Sequence, residues 1–269
     1  MPRGAAVMTL YTQTSGVGPD LVLLHGWGLH GGIWDGLVPL LEPYFRVTRI
    51  DLPGHGNSAW SGEATLDRFA AAVLAAAPPQ AGWAGWSLGG LVALRAALLA
   101  PQRVHALALV ASTPSFVRRP GWPSAMLPAL LDTFVNELEQ DYTRTLSRFL
   151  ALQVRGAAQS TQVLKDLRRQ MLARAQPQPS ALRAGLEILR DTDLRTAAAG
   201  LPVPVLLLAG ERDTLVPLQG IRDTTQLIPG ARCQVVEAAG HAPFIAAPGE
   251  VAHALAGFFS RPVPGPVAP

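Results

Sequence analysis

Residues 82–89 are the most informative segment of the chain: Gly82-Trp83-Ala84-Gly85-Trp86-Ser87-Leu88-Gly89. The apolar run at residues 82–86 leads directly into a serine, and a helical pattern follows over residues 88–100. A G-x-S-x-G pattern between a strand and a helix is typical of a sharp turn that presents the serine hydroxyl as a nucleophile. The alternative is a glycine-rich helix start at which Ser87 is only the capping residue.

Similar apolar runs occur on both sides of this turn, at residues 21–24, 45–50, 104–110, 203–209 and 233–236. Runs of this length suit strands that are buried on both faces of a parallel sheet. Helical patterns lie between several of them. This alternation predicts an α/β fold, with a mostly parallel central sheet and helices on both faces.

The alternation stops between residues 114 and 200. Three helical patterns follow one another there, at residues 132–154, 161–174 and 180–192. We therefore predict a core made of residues 1–113 and 201–260, with residues 114–200 inserted as a helical cap. The last nine residues, 261–269, contain four prolines and are predicted to be a disordered tail.

Composition excludes several classes of protein. Of the 269 residues, 49% are apolar and 15% are charged, which excludes an intrinsically disordered chain. No apolar stretch is long enough for a transmembrane helix, and the N-terminal segment is a poor secretory signal. The single cysteine suits a reducing compartment, and a net charge of +3 does not indicate nucleic-acid binding. We expect a cytoplasmic protein that binds neither nucleic acid nor membrane.

A serine nucleophile needs a base, and the base needs an acid that orients it. His241 is the candidate base, because it follows the last predicted strand at the sheet edge where the serine lies. Asp213 follows the strand at residues 203–209, and the order Ser87, Asp213, His241 matches this kind of site. Glu211 is the alternative acid. Loop-shaping or structural roles are expected for the histidines at His25, His55, His105 and His253.

A serine that attacks a carbonyl group forms a tetrahedral intermediate, whose negative oxygen needs two preset N–H donors. The backbone of Leu88, directly after the nucleophile, is the first candidate. Trp27, in the loop at residues 25–28, is the second, and its indole is expected to form a wall of the pocket. The alternative for Trp27 is a purely structural aromatic residue. This chemistry requires no metal and no organic cofactor, so none is expected.

Four segments together resemble the α/β-hydrolase family: Leu24-His25-Gly26-Trp27-Gly28, and residues 51–58, 85–90 and 240–244. The family resemblance implies that dehalogenases and epoxide hydrolases of this fold have an aspartate as the nucleophile. The serine at position 87 therefore argues against both activities. The resemblance extends over nearly the whole chain, from about residue 9 to residue 259.

Two segments of the predicted cap resemble one particular group of enzymes within this family. Residues 141–153 and 185–189 are similar to the pimeloyl-[acyl-carrier protein] methyl ester esterases of biotin synthesis. This resemblance implies that a run of five cap residues lines the substrate pocket, namely Phe149, Leu150, Ala151, Leu152 and Gln153. It also implies that substrate contacts Trp27, Ser87, Leu88 and His241.

Residues 142–174 hold seven basic residues and one acidic residue, which gives this stretch a net charge of +6. A basic cap over an acyl-ester pocket suits an acidic carrier protein and the phosphate of its pantetheine arm. The alternative is a solvated, arginine-rich helix surface. The predicted carrier contacts are Arg144, Arg148, Lys165, Arg168 and Arg169.

Taken together, these features predict a monomeric serine carboxylesterase that hydrolyses the methyl ester of pimeloyl-acyl-carrier protein. Two alternatives stay open. One is another serine hydrolase of the same fold, either a broad short-chain carboxylesterase or a hydrolase of carbon–carbon bonds. The other is a ligand-binding protein that keeps the fold without turnover.

Overall fold

The computed structural model describes residues 9–62, 65–158 and 160–260. In this part of the chain one sheet is formed by the strands β1 (Thr12–Ser15), β2 (Asp20–Leu24), β3 (Arg46–Ile50), β4 (Ala81–Trp86), β5 (Val104–Val110), β6 (Val205–Gly210) and β7 (Arg232–Val236). Their order across the sheet is β1-β3-β2-β4-β5-β6-β7. Every neighbouring pair is parallel except β1 with β3. The prediction of a mostly parallel α/β sheet is confirmed.

Strand β1 is the one strand that the sequence patterns did not predict. It pairs antiparallel with β3, with Thr12 opposite Ile50 and Ser15 opposite Val47. Its residues are polar and mostly exposed, because β1 lies at the edge of the sheet and contributes little to the core. An edge strand of this kind has no apolar run by which it could be recognised.

The described helices are α1 (Val38–Leu41), α2 (Leu66–Ala76), α3 (Leu88–Leu99), α4 (Pro128–Gln140), α5 (Tyr142–Gln153), α6 (Ser160–Leu172), α7 (Pro179–Asp191), α8 (Arg195–Ala198), α9 (Leu218–Leu227), α10 (Pro243–Ala246) and α11 (Pro248–Phe259). Two short 3₁₀ helices, Gly31–Trp34 and Pro101–Arg103, complete them. None of the described helices combines the length and apolar character needed to cross a membrane.

Alternating side chains of the strands divide the core into two layers. In β2, Val22 and Leu24 join the apolar cluster that contains Phe69 of α2, whereas Leu21 and Leu23 join the cluster on the other face. This is the period of two expected for a strand buried on both sides. Because the central strands are parallel, their carboxyl ends meet at one edge of the sheet, where loops can assemble a site.

Helices α4 to α7 lie between β5 and β6, within the range predicted for the cap. The prediction of a single helix over residues 132–154 is wrong, because the helix is interrupted at Asp141, between α4 and α5. This residue is extended (φ −155°), and its side chain accepts a hydrogen bond of 3.0 Å from the N–H of Arg144. Asp141 therefore starts a new helix as its N-cap. The predicted tail, residues 261–269, lies outside the described residues.

An ion pair with a buried carboxylate connects the end of α6 to the loop after β3. Arg174 follows α6, and its Nη1 lies 3.0 Å from both carboxylate oxygens of Asp51. The Asp51 side chain is 1% exposed and also accepts hydrogen bonds from the N–H groups of Gly31 and Asn57. Arg174 is one of the seven basic residues counted in residues 142–174. Because its guanidinium group is paired with Asp51, we do not count it among the carrier contacts.

His30 makes a second connection at the same end of the cap. Its Nδ1 accepts a hydrogen bond from the N–H of Gly32, so the ring proton is on Nε2, which donates to the carbonyl of Gln170 at 2.6 Å. Burial lowers the pKa of His30, which favours this neutral form. The C-terminal part of α6 is thus attached to the core by both a charged and a neutral contact.

We expect Arg174→Ala to lower the free energy of unfolding by about 2–4 kcal/mol, because it leaves the Asp51 carboxylate buried without its counter-charge. Arg169→Ala is the matched control, since Arg169 pairs with Asp166 on the surface and should cost no more than about 1 kcal/mol. Urea unfolding at neutral pH measures both values. Equal losses in the two variants would contradict the structural role given to Arg174.

Candidate active site

The strand-to-helix turn that the G-x-S-x-G pattern predicts is present between β4 and α3. Ser87 lies at its apex with φ 54° and ψ −119°, a conformation that a residue with a side chain adopts only when its surroundings enforce it. The flanking glycines allow the close backbone contacts that enforce this conformation. A Cβ on Gly85 would lie 2.3 Å from the carbonyl oxygen of Gly89, and one on Gly89 would lie 2.4 Å from that of His25.

Neighbouring strands hold this turn in place. The N–H of Ser87 donates to the carbonyl of Val110 at 3.0 Å, at the end of β5. The hydroxyl of Ser112 donates to the carbonyl of Ser87 at 2.9 Å. Ser112 is fully buried. No motif marks Ser112; only the pairing of β4 with β5 brings it to the turn.

His241 and Asp213 form a buried pair. The Nδ1 of His241 lies 2.7 Å from Oδ2 of Asp213, and both side chains are 1% exposed. The other carboxylate oxygen, Oδ1, accepts hydrogen bonds from the N–H groups of Leu215 (2.8 Å) and Val216 (2.9 Å). The carboxylate therefore has a fixed orientation and places the imidazole proton on Nδ1.

The other ring nitrogen of His241 is left able to act as a base. Its Nε2 is buried and has no hydrogen-bond partner among the described residues. Glu211, the alternative acid, is exposed and accepts a hydrogen bond from the N–H of Ala238 instead. The geometry thus brings Asp213 to His241 and does not bring Glu211 there.

Two contacts orient the main chain of His241, and the sequence patterns revealed neither. The indole Nε1 of Trp86, the residue before the serine, donates to the carbonyl of His241 at 2.7 Å. The N–H of His241 donates to the carbonyl of Gln153 at 2.9 Å, at the end of α5. The loop that contains His241 is therefore held between the end of β4 and the end of α5.

The two candidate oxyanion donors are available. Leu88 is the first residue of α3, and the first N–H groups of a helix have no acceptor within it. Within the part of the chain that the structure describes, neither this N–H nor that of Trp27 donates to another group. The partial positive charge at the start of α3 adds to the stabilisation of a negative oxygen.

His25 and His55 shape the loops beside the oxyanion donors, and their surroundings keep them neutral. The Nδ1 of His25 donates to the carbonyl of Gly26, while its Nε2 accepts from the N–H of Leu52, both at 2.8 Å. Burial lowers the pKa of His25 to about 3 and that of His55 to about 4. His25 has both ring nitrogens occupied, so it is not available as the base.

The five consecutive residues predicted to line the pocket do not all face the site, since successive residues of a helix point in different directions. Phe149 is buried with its ring edge-on to Trp27, at a centroid distance of 4.8 Å. Gln153, one turn later, is buried against the His241 loop. Leu152 is half-buried, Leu150 packs in the apolar cluster that contains Leu167 of α6, and Ala151 is exposed. That all five residues line the substrate pocket stays a prediction.

The predicted carrier contacts are all exposed, on α5 and α6. Arg144 and Arg148 are exposed on α5, one turn apart. Arg148 also forms an ion pair with Glu137 and lies over the ring of Phe134. The three predicted contacts on α6 are exposed as well, namely Lys165, Arg168 and Arg169.

Among the described residues, no group of three or more metal-ligating side chains is close enough to hold a metal ion.

Known sequences similar to this chain belong to the family that its motifs resemble. A family model described as the alpha/beta hydrolase fold matches residues 19–248. The chain is 46% identical over 237 residues to the pimeloyl-[acyl-carrier protein] methyl ester esterase of Aliivibrio salmonicida, which covers 88% of this chain and 90% of that protein. It is 47% identical over 238 residues to the protein of the same name from Methylococcus capsulatus, with 88% and 93% covered.

Solved structures share the fold. An esterase from Exiguobacterium antarcticum superposes with a TM-score of 0.84 at 22% identity, over 94% of this chain and 96% of that one. A hydrolase from Pseudomonas aeruginosa superposes with a TM-score of 0.79 at 27% identity, over 96% and 100% of the two chains.

Proposed function

Because the chain belongs to the α/β-hydrolase fold family, and within it to the pimeloyl-[acyl-carrier protein] methyl ester esterases, we propose that it hydrolyses the methyl ester of a pimeloyl group borne by acyl-carrier protein. One observation carries the chemistry. A buried, hydrogen-bonded pair of His241 and Asp213 accompanies Ser87 at the apex of a strained turn. This combination of groups supports a serine esterase with Asp213 as the orienting acid.

In the acylation step, His241 takes the proton of the Ser87 hydroxyl at Nε2 while the oxygen attacks the ester carbonyl. The carbonyl oxygen becomes negative and is stabilised by the N–H groups of Trp27 and Leu88. Asp213 stabilises the imidazolium that forms. When the tetrahedral intermediate collapses, the bond to methoxide breaks and His241 returns the proton, so that methanol leaves.

In the deacylation step, water takes the place of methanol. His241 accepts a proton from this water as its oxygen attacks the acyl-enzyme carbonyl, and the same two N–H groups stabilise the second intermediate. The bond to the Ser87 oxygen then breaks, and His241 protonates it. The products are the regenerated enzyme and a pimeloyl group with a free carboxylate, still attached to the carrier.

The surface charge of the cap supports a carrier-borne substrate. The arginines Arg144 and Arg148 are exposed on α5, the helix that also places Phe149 and Gln153 beside the candidate site. A carrier protein bound there would bring its acidic surface to the positive face of α5 and its acyl chain to the inner face. Charge complementarity of this kind raises association rates and falls with salt.

We further propose that the enzyme acts as a monomer in the cytoplasm. One chain supplies every group that the mechanism uses. The free thiol of Cys233 is exposed on β7, which suits a reducing compartment.

Replacing Arg144 and Arg148 together by alanine is expected to lower kcat/KM for the carrier-bound ester about tenfold at low salt, as two exposed charge contacts would be lost. The loss should shrink as salt is added. Activity toward a carrier-free methyl ester such as dimethyl pimelate should not change. Steady-state assays with the two substrates at several salt concentrations measure the difference.

The matched control replaces Arg46 and Arg95, two arginines outside the cap that pair with Asp20 and Asp67. This double variant changes the net charge by the same amount. If it lowers kcat/KM for the carrier-bound ester as much as the cap variant does, α5 is not the carrier-binding surface.

A further inference from the structure

Helix α7 makes an unusually close approach to the candidate oxyanion hole, at Gly185. A Cβ on this glycine would lie 2.6 Å from Cδ1 of Trp27, 3.1 Å from the indole Nε1, and 3.1 Å from Cδ2 of Leu88. These are the two residues whose N–H groups the mechanism assigns to the oxyanion. One position in the cap thus has no room for a side chain because both donor residues occupy the space.

The backbone of α7 does not itself require glycine at this position. Gly185 lies in the interior of a helix and does not have a positive φ. Glycine in a helix interior is less favourable than alanine. Contact with the core is therefore what explains the residue here, and the neighbouring Ala184 shows that α7 tolerates a Cβ one position earlier.

A hydrogen bond from the same face of α7 fixes the indole. The Nε1 of Trp27 donates to the carbonyl of Leu182 at 2.7 Å, and both residues are buried. Leu182 and Gly185 are three residues apart and so lie on one side of the helix. The indole is held by its nitrogen at Leu182 and by its edge at Gly185, while Phe149 packs against its ring.

We propose that Gly185 is a positioning residue of the oxyanion hole. By admitting α7 against the indole, it sets where the backbone N–H of Trp27 lies relative to that of Leu88. This inference rests on the proposed function for its reaction, but its contacts are independent of which ester is cleaved. It makes the cap part of the catalytic framework as well as the cover of the pocket.

The test is Gly185→Ala, compared with Gly257→Ala in α11, where a Cβ would meet nothing within 4 Å. An added methyl group at residue 185 must change the position of the indole relative to α7. Removal of one oxyanion donor typically costs 10²–10³ in kcat. We expect a partial misplacement to lower kcat about 10–100-fold, with KM changed less than about threefold. Gly257→Ala should leave both unchanged.

Rates are measured with p-nitrophenyl butyrate and with a fluorophosphonate probe, after titration of the active sites. The probe places a phosphoryl oxygen in the oxyanion hole, so its rate of reaction with Ser87 should fall in parallel with kcat. A change confined to folding would lower the number of active sites or the melting temperature, but not the rate per active site. That result would overturn the proposal.

A double-mutant cycle with Trp27→Ala tests whether Gly185 acts through the indole. Alanine ends at Cβ, so this change removes the Cδ1 and Nε1 atoms that the new methyl group would meet but keeps the backbone N–H. Gly185→Ala should therefore cost less than about twofold in the Trp27→Ala background, because coupled residues are not additive. Losses that simply multiply would show that Gly185 acts independently of Trp27 and would overturn the proposal.

The cycle remains informative in two further cases. If Gly185→Ala alone does not fold, recovery of folded protein in the double variant supports the same contact, and an equally unfolded double variant overturns it. If the wild-type protein cleaves the aryl ester but not the carrier-bound ester, the proposed substrate is wrong, while the cycle still determines the role of Gly185.

Discussion

Replacing Ser87 by alanine is expected to lower kcat for ester hydrolysis by about 10⁴–10⁶-fold, because the acyl-enzyme can no longer form. The turn should survive, since Ser87 is held by main-chain groups: its N–H donates to Val110 and its carbonyl accepts from Ser112. The melting temperature should therefore change little. Initial rates with an aryl ester, together with labelling by a fluorophosphonate, measure the loss.

Ser112→Ala is the matched control for this variant. Both serines are buried beside the turn, but the Ser112 hydroxyl donates to a carbonyl and takes no part in the proposed reaction. We expect it to cost less than about tenfold in kcat, through a slightly less rigid turn. Fluorophosphonate labelling that persists in Ser87→Ala would show that another residue is the nucleophile.

Replacing Asp213 by asparagine should lower kcat about 10⁴-fold, while keeping the packing of the site. The reason is the hydrogen bonding of the two carboxylate oxygens. Oδ1 accepts from the N–H groups of Leu215 and Val216, so an asparagine must place its carbonyl oxygen there. Its NH₂ group then faces Nδ1 of His241 and donates to it. The imidazole proton moves to Nε2, where the base must be free.

Glu211→Gln tests whether Glu211, rather than Asp213, is the acid that orients His241. Glu211 accepts a hydrogen bond from the N–H of Ala238 and is exposed, so its replacement should change kcat less than about threefold. Both variants are assayed at neutral pH with the same aryl ester. A loss in Glu211→Gln as large as that in Asp213→Asn would contradict the assignment of the acid.

How much of the fold could be predicted depends on whether a signal is local. The strands β2, β4, β5 and β6 are largely apolar and almost completely buried, and the turn at Ser87 is marked by its own glycines. Strand β1 is polar and exposed, so no run reveals it. The break at Asp141 is local too, but a single capping residue inside a long helical pattern is a weak signal.

In the candidate site, the positions after strands predict the residues that the proposed chemistry requires. Residues that act through long-range contacts are not predicted in this way. Trp86 reaches the carbonyl of His241, and Arg174 reaches Asp51, over 155 and 123 residues of sequence. The sequence places Gly185 only in a segment that resembles the family, because its contact with Trp27 depends on how closely α7 approaches the indole. Sequence patterns cannot give such distances between separate elements.

The most direct test of the account is the mass of the product formed from pimeloyl-carrier protein methyl ester. This substrate has both a methyl ester and a thioester, and wild-type enzyme should remove only the methyl group, leaving the pimeloyl chain on the carrier. Intact-protein mass spectrometry, with Ser87→Ala as the inactive control, distinguishes the two bonds. We expect the mass of the carrier to fall by that of one methylene group and methanol to appear. Release of the free carrier thiol, or an unchanged substrate beside rapid cleavage of aryl esters, would contradict it.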